Sequence, residues 1–293
     1  MNKTFLLLGW LVLSAAAAAP LYATELFADF SIGNLGFSRD RDAGDKGLPD
    51  DTFPWAFNFG LRHPAFETVD FEMALRRHHV VGNTTELQLT HRSDFVELGA
   101  GPYLGVYNNQ DKPFSLNPGV FAHLRFNLGD FGFTSLTARA PLSDDPRRVG
   151  DYRQRTQEYQ FGVFVPNVVL SLYYGSFAFD ERTDDDFISD LHRAYELRAH
   201  VFQKNVPYRI DLSFGYHDYQ KEFVSTDGTQ AFGALVAATR VTADLRNTVS
   251  IFFSFENALY TFGRADLTGR DGGDMFFFRS GAGITYTVRP PHQ

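Results

Sequence analysis

Polarity alternates at a spacing of two along nearly the whole chain, and few folds tolerate that pattern at such length. Tyr195, Leu197, Ala199 and Val201 share one parity; Glu196, Arg198 and His200 take the other. Tyr208, Ile210, Leu212, Phe214 and Tyr216 repeat it against Arg209, Asp211, Ser213, Gly215 and His217. Val69, Phe71, Met73 and Leu75 oppose Asp70, Glu72 and Arg76. The β-branched and aromatic content agrees with half-buried strands. Fourteen are expected, near 25–36, 53–62, 68–81, 85–92, 95–107, 115–127, 131–140, 157–165, 168–179, 193–203, 207–221, 230–242, 248–262 and 275–288. Helical spacing finds its best candidate in the short run Phe187–Leu197.

The connections are as informative as the strands. Those after even-numbered strands are tight: His63–Glu67, Ser93–Asp94, Leu128–Asp130, Pro166–Asn167, Lys204–Val206 and Ala243–Asn247. Most of those after odd-numbered strands are longer and charged: Phe37–Thr52, Pro141–Thr156, Asp180–His192 and Gly263–Asp274. A sandwich has no reason to put its long loops at one end. A transmembrane antiparallel β-barrel does, with short periplasmic turns and longer outer loops. The exception is the short connection at Gly82–Thr84; merging that pair would give twelve strands.

Composition narrows the choice. The 293 residues carry a net charge of −8, which disfavours nucleic acid as a partner, and no cysteine, which excludes a disulfide scaffold or a thiolate metal site. Arginine (22) far outnumbers lysine (5), so the positive charges suit fixed pairing. Residues 1–23 read as a cleaved secretory signal peptide: Lys3, the apolar stretch from Phe5, then Ala15–Ala19. Residues 24–293 form one barrel domain on this reading, and their apolar runs are too short for a spanning helix.

In a bilayer the apolar face of a closed sheet meets lipid and the polar face lines the interior. Expected pore-lining residues are Arg62, Asp70, Glu72, Arg76, Glu97, His123, Arg125, Glu196, Arg198, Arg209, Asp211, Glu256 and Arg279. Asp29, Glu86, Arg92 and Glu158 share their parity. So many charges would be costly in a dry core, whereas a barrel this wide holds water. Trp55, Tyr107, Tyr159, Tyr195, Tyr208, Tyr219 and Tyr260 are candidates for interfacial aromatic girdles. Facing acids and bases would set a transverse field with a weak cation preference. Alternatively they pair and fill space.

The last strand ends Gly283-Ile284-Thr285-Tyr286-Thr287-Val288. Gly283, Tyr286 and Val288 are similar to the Gly-x-x-apolar-x-apolar end of the assembly signal on bacterial outer-membrane barrels. The departures are Gly281 two places earlier and the continuation through Arg289–Gln293. With the alternation and the leader, the chain resembles a Gram-negative outer-membrane β-barrel, in size and strand count the monomeric fourteen-stranded porins. The resemblance implies a bacterial outer-membrane location and passive diffusion of small polar solutes. It implies a monomer whose partners are outer-membrane lipid, lipopolysaccharide and the barrel-assembly machinery. No cofactor is expected. The rival readings are a surface-interaction barrel acting through acidic outer loops and, further off, a lipid-modifying enzyme.

Catalytic and metal constellations are sparse. His91-Arg92-Ser93 is a His-x-Ser run beside an expected periplasmic turn, without a visible orienting group. His78 and His79 are adjacent on a strand and point to opposite faces, so they cannot share a metal there. Asp40, Asp42, Asp45, Asp50 and Asp51 make one acidic outer loop; Asp180, Glu181, Asp184–Asp186 and Asp190 make another. Hard cations favour such oxygens, but the spacing is not that of an EF-hand loop. Solvated loops are the simpler expectation.

Overall fold

In the computed structural model the described residues are 23–33, 55–78, 82–107, 115–143, 146–183, 186–224, 228–246, 248–262 and 277–288. They form fourteen strands: β1 Thr24–Gly33, β2 Trp55–Phe66, β3 Val69–His78, β4 Gly82–Arg92, β5 Val96–Tyr107, β6 Ser115–Asn127 and β7 Gly132–Pro141, then β8 Tyr152–Val165, β9 Val168–Arg182, β10 Phe187–Phe202, β11 Tyr208–Phe223, β12 Gly228–Arg246, β13 Val249–Phe262 and β14 Phe278–Val288. Each is antiparallel to its sequence neighbours, and β1 pairs with β14 to close the barrel. Closure leaves no sheet edge unpaired, which a barrel facing hydrocarbon requires. The β3–β4 hairpin stays two strands, joined through 79–81, so the number is fourteen and not twelve.

The tight connections gather at one end, here the turn end. Between β8 and β9 only Pro166 and Asn167 intervene, and Asn167 adopts φ 63°. Asn205 (φ 70°) serves the β10–β11 turn in the same way. Asparagine tolerates this left-handed region better than most residues.

Two expectations are corrected at the other, loop end. Phe187–Leu197 is not helical but the first part of β10, whose backbone is laddered to β9 on one side and β11 on the other. The alternation of its outward Leu191, Arg193 and Tyr195 outweighs the chance helical spacing. Likewise Asp180–His192 is mostly strand: Asp180 and Glu181 lie in β9 and Asp190 in β10, leaving 183–186 as the connection. Tyr152–Thr156, expected as loop, belongs to β8. Segments 37–52 and 263–274, the acidic run Asp40–Asp51, His79, Asp184 and Asp185 lie outside the described residues.

Outward positions are large and apolar: Phe30, Phe59, Leu89, Leu172, Leu197, Phe214, Phe253 and Ile284 are all exposed. A contiguous surface of this kind belongs against lipid. Tyr159, Tyr174, Tyr195 and Tyr216 are register neighbours across β8, β9, β10 and β11. The Tyr159–Tyr174 and Tyr174–Tyr195 ring centroids lie 6.0 and 5.1 Å apart. Together they form an aromatic line at the edge of the apolar band. Buried packing lies inside the barrel, where Tyr219, Phe232, Ala234, Val236 and Phe277 cluster.

Candidate functional site

Inward parity brings acids and bases from most strands into one belt. Arg62 of β2 reaches Glu25 of β1 (3.6 Å) and Glu72 of β3 (2.7 Å). Glu72 also holds Arg76 (2.6 Å), and Arg76 reaches Glu86 of β4 (2.9 Å). Arg139 of β7 then spans two strands to Glu86 (2.6 Å) while approaching Glu158 of β8 (3.5 Å). Tyr173 of β9 donates its hydroxyl to Glu158 (3.0 Å), and the Arg198 guanidinium lies 3.3 Å from the Tyr173 ring centroid. Arg198 pairs with Glu196 (2.6 Å), Glu196 with His217 of β11 (2.8 Å) and Glu256 of β13 with Arg279 of β14 (3.0 Å). His217 lies 3.8 Å from Glu256, linking the last two pairs.

The long Glu86–Arg139 reach is possible because the floor beneath it is flat. Tyr103 lies over Gly119, where an added Cβ would overlap the phenol ring. Arg139 crosses the Phe121 ring at 5.1 Å. Each belt charge has an opposite partner, so the interior tolerates ions that would otherwise be expensive to desolvate.

Nearer the turn end are two smaller groups. In the first, Arg92 bridges Asp70 (2.9 Å) and Glu97 (3.5 Å), His123 approaches Glu97 (3.6 Å), and Arg125 bonds Asn127 (3.0 Å) while covering the Phe133 ring. In the second, His200 contacts Asp211, and Arg209 pairs with Asp244 (2.9 Å). Arg240 lies over Phe252, which itself covers Gly283. Thus Arg62, Glu72, Arg76, Glu196, Arg198, Glu256 and Arg279 sit in the belt, and Asp70, Glu97, His123, Arg125, Arg209 and Asp211 sit below it. Gly283 faces inward; Tyr286 and Val288 face outward and are exposed.

Toward the loop end rings stack across the interior. His78 of β3 lies 4.7 Å from Phe177 of β9, then Phe177–His192 5.6 Å, His192–Tyr219 4.3 Å and Tyr219–Phe232 4.6 Å. Since β3 and β9 are not neighbours, the first step bridges the cross-section. Tyr219, expected in a girdle, is therefore an interior residue, 2% exposed. Tyr107 also has inward parity, opposite Ser115. Parity exposes both misplacements, since Tyr219 shares the parity of His217; ring chemistry alone suggested the membrane surface. A cavity of about 400 Å³ is walled by the belt and this stack, including Arg76, Glu86, Arg139, His78 and Phe177. A second, of about 190 Å³, continues toward the turn end past Arg62 and Arg240. Both are lined by Asp29, Asn58 and Arg76.

Alternation gave Arg139, Arg240 and Asp244 no prominence, because their strands mix rings or alanines into the inward set: Phe133 on β7, Phe232, Ala234 and Ala238 on β12. The His91-Arg92-Ser93 run does not assemble a nucleophile. Arg92 is paired inward, and Ser93 closes its turn, donating to the Val96 carbonyl (3.0 Å) and accepting the Val96 N–H (3.1 Å). Among the described residues no group of three or more His, Asp or Glu is arranged to hold a metal ion.

No family model and no curated protein matches the chain. Solved structures do match. An outer-membrane channel from Pseudomonas putida F1 aligns with TM-score 0.51 and 9% identity over 92% of this chain and 97% of that one. A bacterial polysaccharide outer-membrane secretin gives 0.48 and 9% over 91% and 98%. Salmonella typhi OmpF in complex with daunomycin gives 0.42 and 10% over 92% and 97%. At such identity the likeness extends to the fold. By fold, this chain is an outer-membrane-type β-barrel of fourteen antiparallel strands.

Proposed function

We propose that the protein is a porin-like channel of the bacterial outer membrane that passes small polar solutes by diffusion. The observation that carries this reading is the charged belt facing two adjoining cavities inside a closed barrel whose outside is apolar. Paired ions along a narrow wet path replace part of a solute's hydration and reject apolar ones. The net charge of −8 and the many inward carboxylates favour a weak cation preference. The solute path runs beside the aromatic stack rather than through an empty cylinder, so small conductance steps are expected. Export through a cleaved leader at 1–23, assembly through Gly283, Tyr286 and Val288, contact with lipopolysaccharide and a monomeric state belong to the same proposal. The rival reading through acidic loops loses Asp180, Glu181 and Asp190 to strands.

The test is conductance of the refolded barrel in a planar bilayer under a salt gradient. Stable steps with a reversal potential slightly on the cation side support the reading. A barrel that migrates as folded in unboiled gel samples yet conducts nothing overturns it.

A further inference from the structure

Within that channel reading, we propose that the larger cavity is a binding site for a neutral, polyhydroxylated solute of sugar type. Three of the charges around it are spent on one another, Arg76 and Arg139 both holding Glu86, at 2.9 and 2.6 Å, while Asp29 accepts a hydrogen bond from the neutral Asn58 at 3.1 Å. A charged solute at Glu86, Arg76 or Arg139 would have to break their pairing to form its own, so there the site offers ions little net gain. A neutral hydroxyl can do otherwise. It donates to a carboxylate oxygen and accepts from a guanidinium or amide without displacing either partner.

Two more features fit the same class. Gln154 lines the cavity, 1% exposed, and neither end of its amide has a hydrogen-bond partner among the described residues. Both ends of the amide are enclosed, and a small shift of the wall would turn two donors and one acceptor toward the cavity, a set that vicinal hydroxyls satisfy and an apolar solute leaves wanting. Beside Gln154, on the neighbouring strand, the cavity is less polar: Phe177 lies between His78 (4.7 Å) and His192 (5.6 Å) and presents the edge of its ring. A pyranose offers both characters side by side, with hydroxyls around its rim and C–H groups on its faces. The volume of about 400 Å³ lies in the range of small-molecule sites.

The experiment measures current fluctuations through the full-length refolded channel while glucose, glucosamine and gluconate are added separately, with isothermal titration of glucose in detergent alongside. Glucose should interrupt the current saturably and bind more tightly than either charged analogue. Phe177→Ala and Gln154→Leu should each weaken glucose block about tenfold with the channel still conducting. Glucose that alters current no more than a viscosity-matched, pore-excluded polymer overturns the sugar site and leaves the channel intact. A charged analogue that blocks more tightly than glucose overturns the preference for neutral solutes. Should the barrel be silent, the channel reading fails, and saturable glucose heat lost in Gln154→Leu still upholds the site, while absent heat removes it.

Discussion

The barrel has two unequal walls. Strands β1 to β7 run 10 to 13 residues, while β8 to β13 run 14 to 19. About 9–11 tilted residues cross a bilayer, so the first wall barely exceeds the membrane and the second overshoots it. The overshoot begins above the tyrosine line. There outward positions turn polar, with Arg193 paired to Asp218 (3.2 Å) and Arg153 to Asp180 (2.7 Å). The inward positions at that level hold the ring stack from His192 to Phe232. Strand length in the tall wall is therefore set by strand-to-strand pairing and interior packing, and lipid sets only the lower part. Among the described residues the low wall shows no comparable extension, and the Glu86–Arg139 crossing ties it.

Breaking that tie should produce the largest effect. Glu86→Gln leaves two guanidiniums facing a 3%-exposed neutral amide, and the expected cost is about 3 kcal/mol. It would be read by urea titration in micelles through Trp55, the one tryptophan beyond residue 23. An unchanged midpoint would mean that the low wall stands without its crossing. Next comes the boundary between lipid and water on the tall wall. Leu212 sits midway between Tyr208 and Tyr216 on β11, and Leu212→Arg should cost about 2–4 kcal/mol in vesicles. Leu191→Arg, beyond the tyrosine line on β10, should cost about 0–1 kcal/mol. Equal costs at the two positions would erase the overshoot. The smallest effect is expected at the rim, where Arg193 is 37% exposed. Arg193→Gln should shift stability by about 1 kcal/mol or less, and less again in high salt.

The low wall and the lower tall wall were legible because lipid imposes alternation there: Tyr208 to Tyr216 reads off directly. The overshoot was not. With water outside and packed rings inside, Asp180–His192 carries polar and apolar residues on both faces and looks like an acidic loop. The belt was half legible. Parity placed Arg62, Glu72, Arg76 and Glu196 on one face, but which charge meets which depends on the stagger of the strands. Nothing local in the sequence tells Glu86 that its partner lies 53 positions on, at Arg139.

The seam between β1 and β14 has a consequence in time. Ten register pairs join Thr24–Gly33 to Arg279–Val288, contacts as distant in sequence as the chain allows. Every other ladder joins sequence neighbours, so thirteen hairpin pairings can form while the cylinder stays open. Such a curled sheet keeps two raw edges, each able to template a stranger, and the last contact to form carries the greatest loop entropy. Completion thus waits on the final eleven-residue strand, and whatever escorts the unfinished sheet must shield both ends of the chain at once.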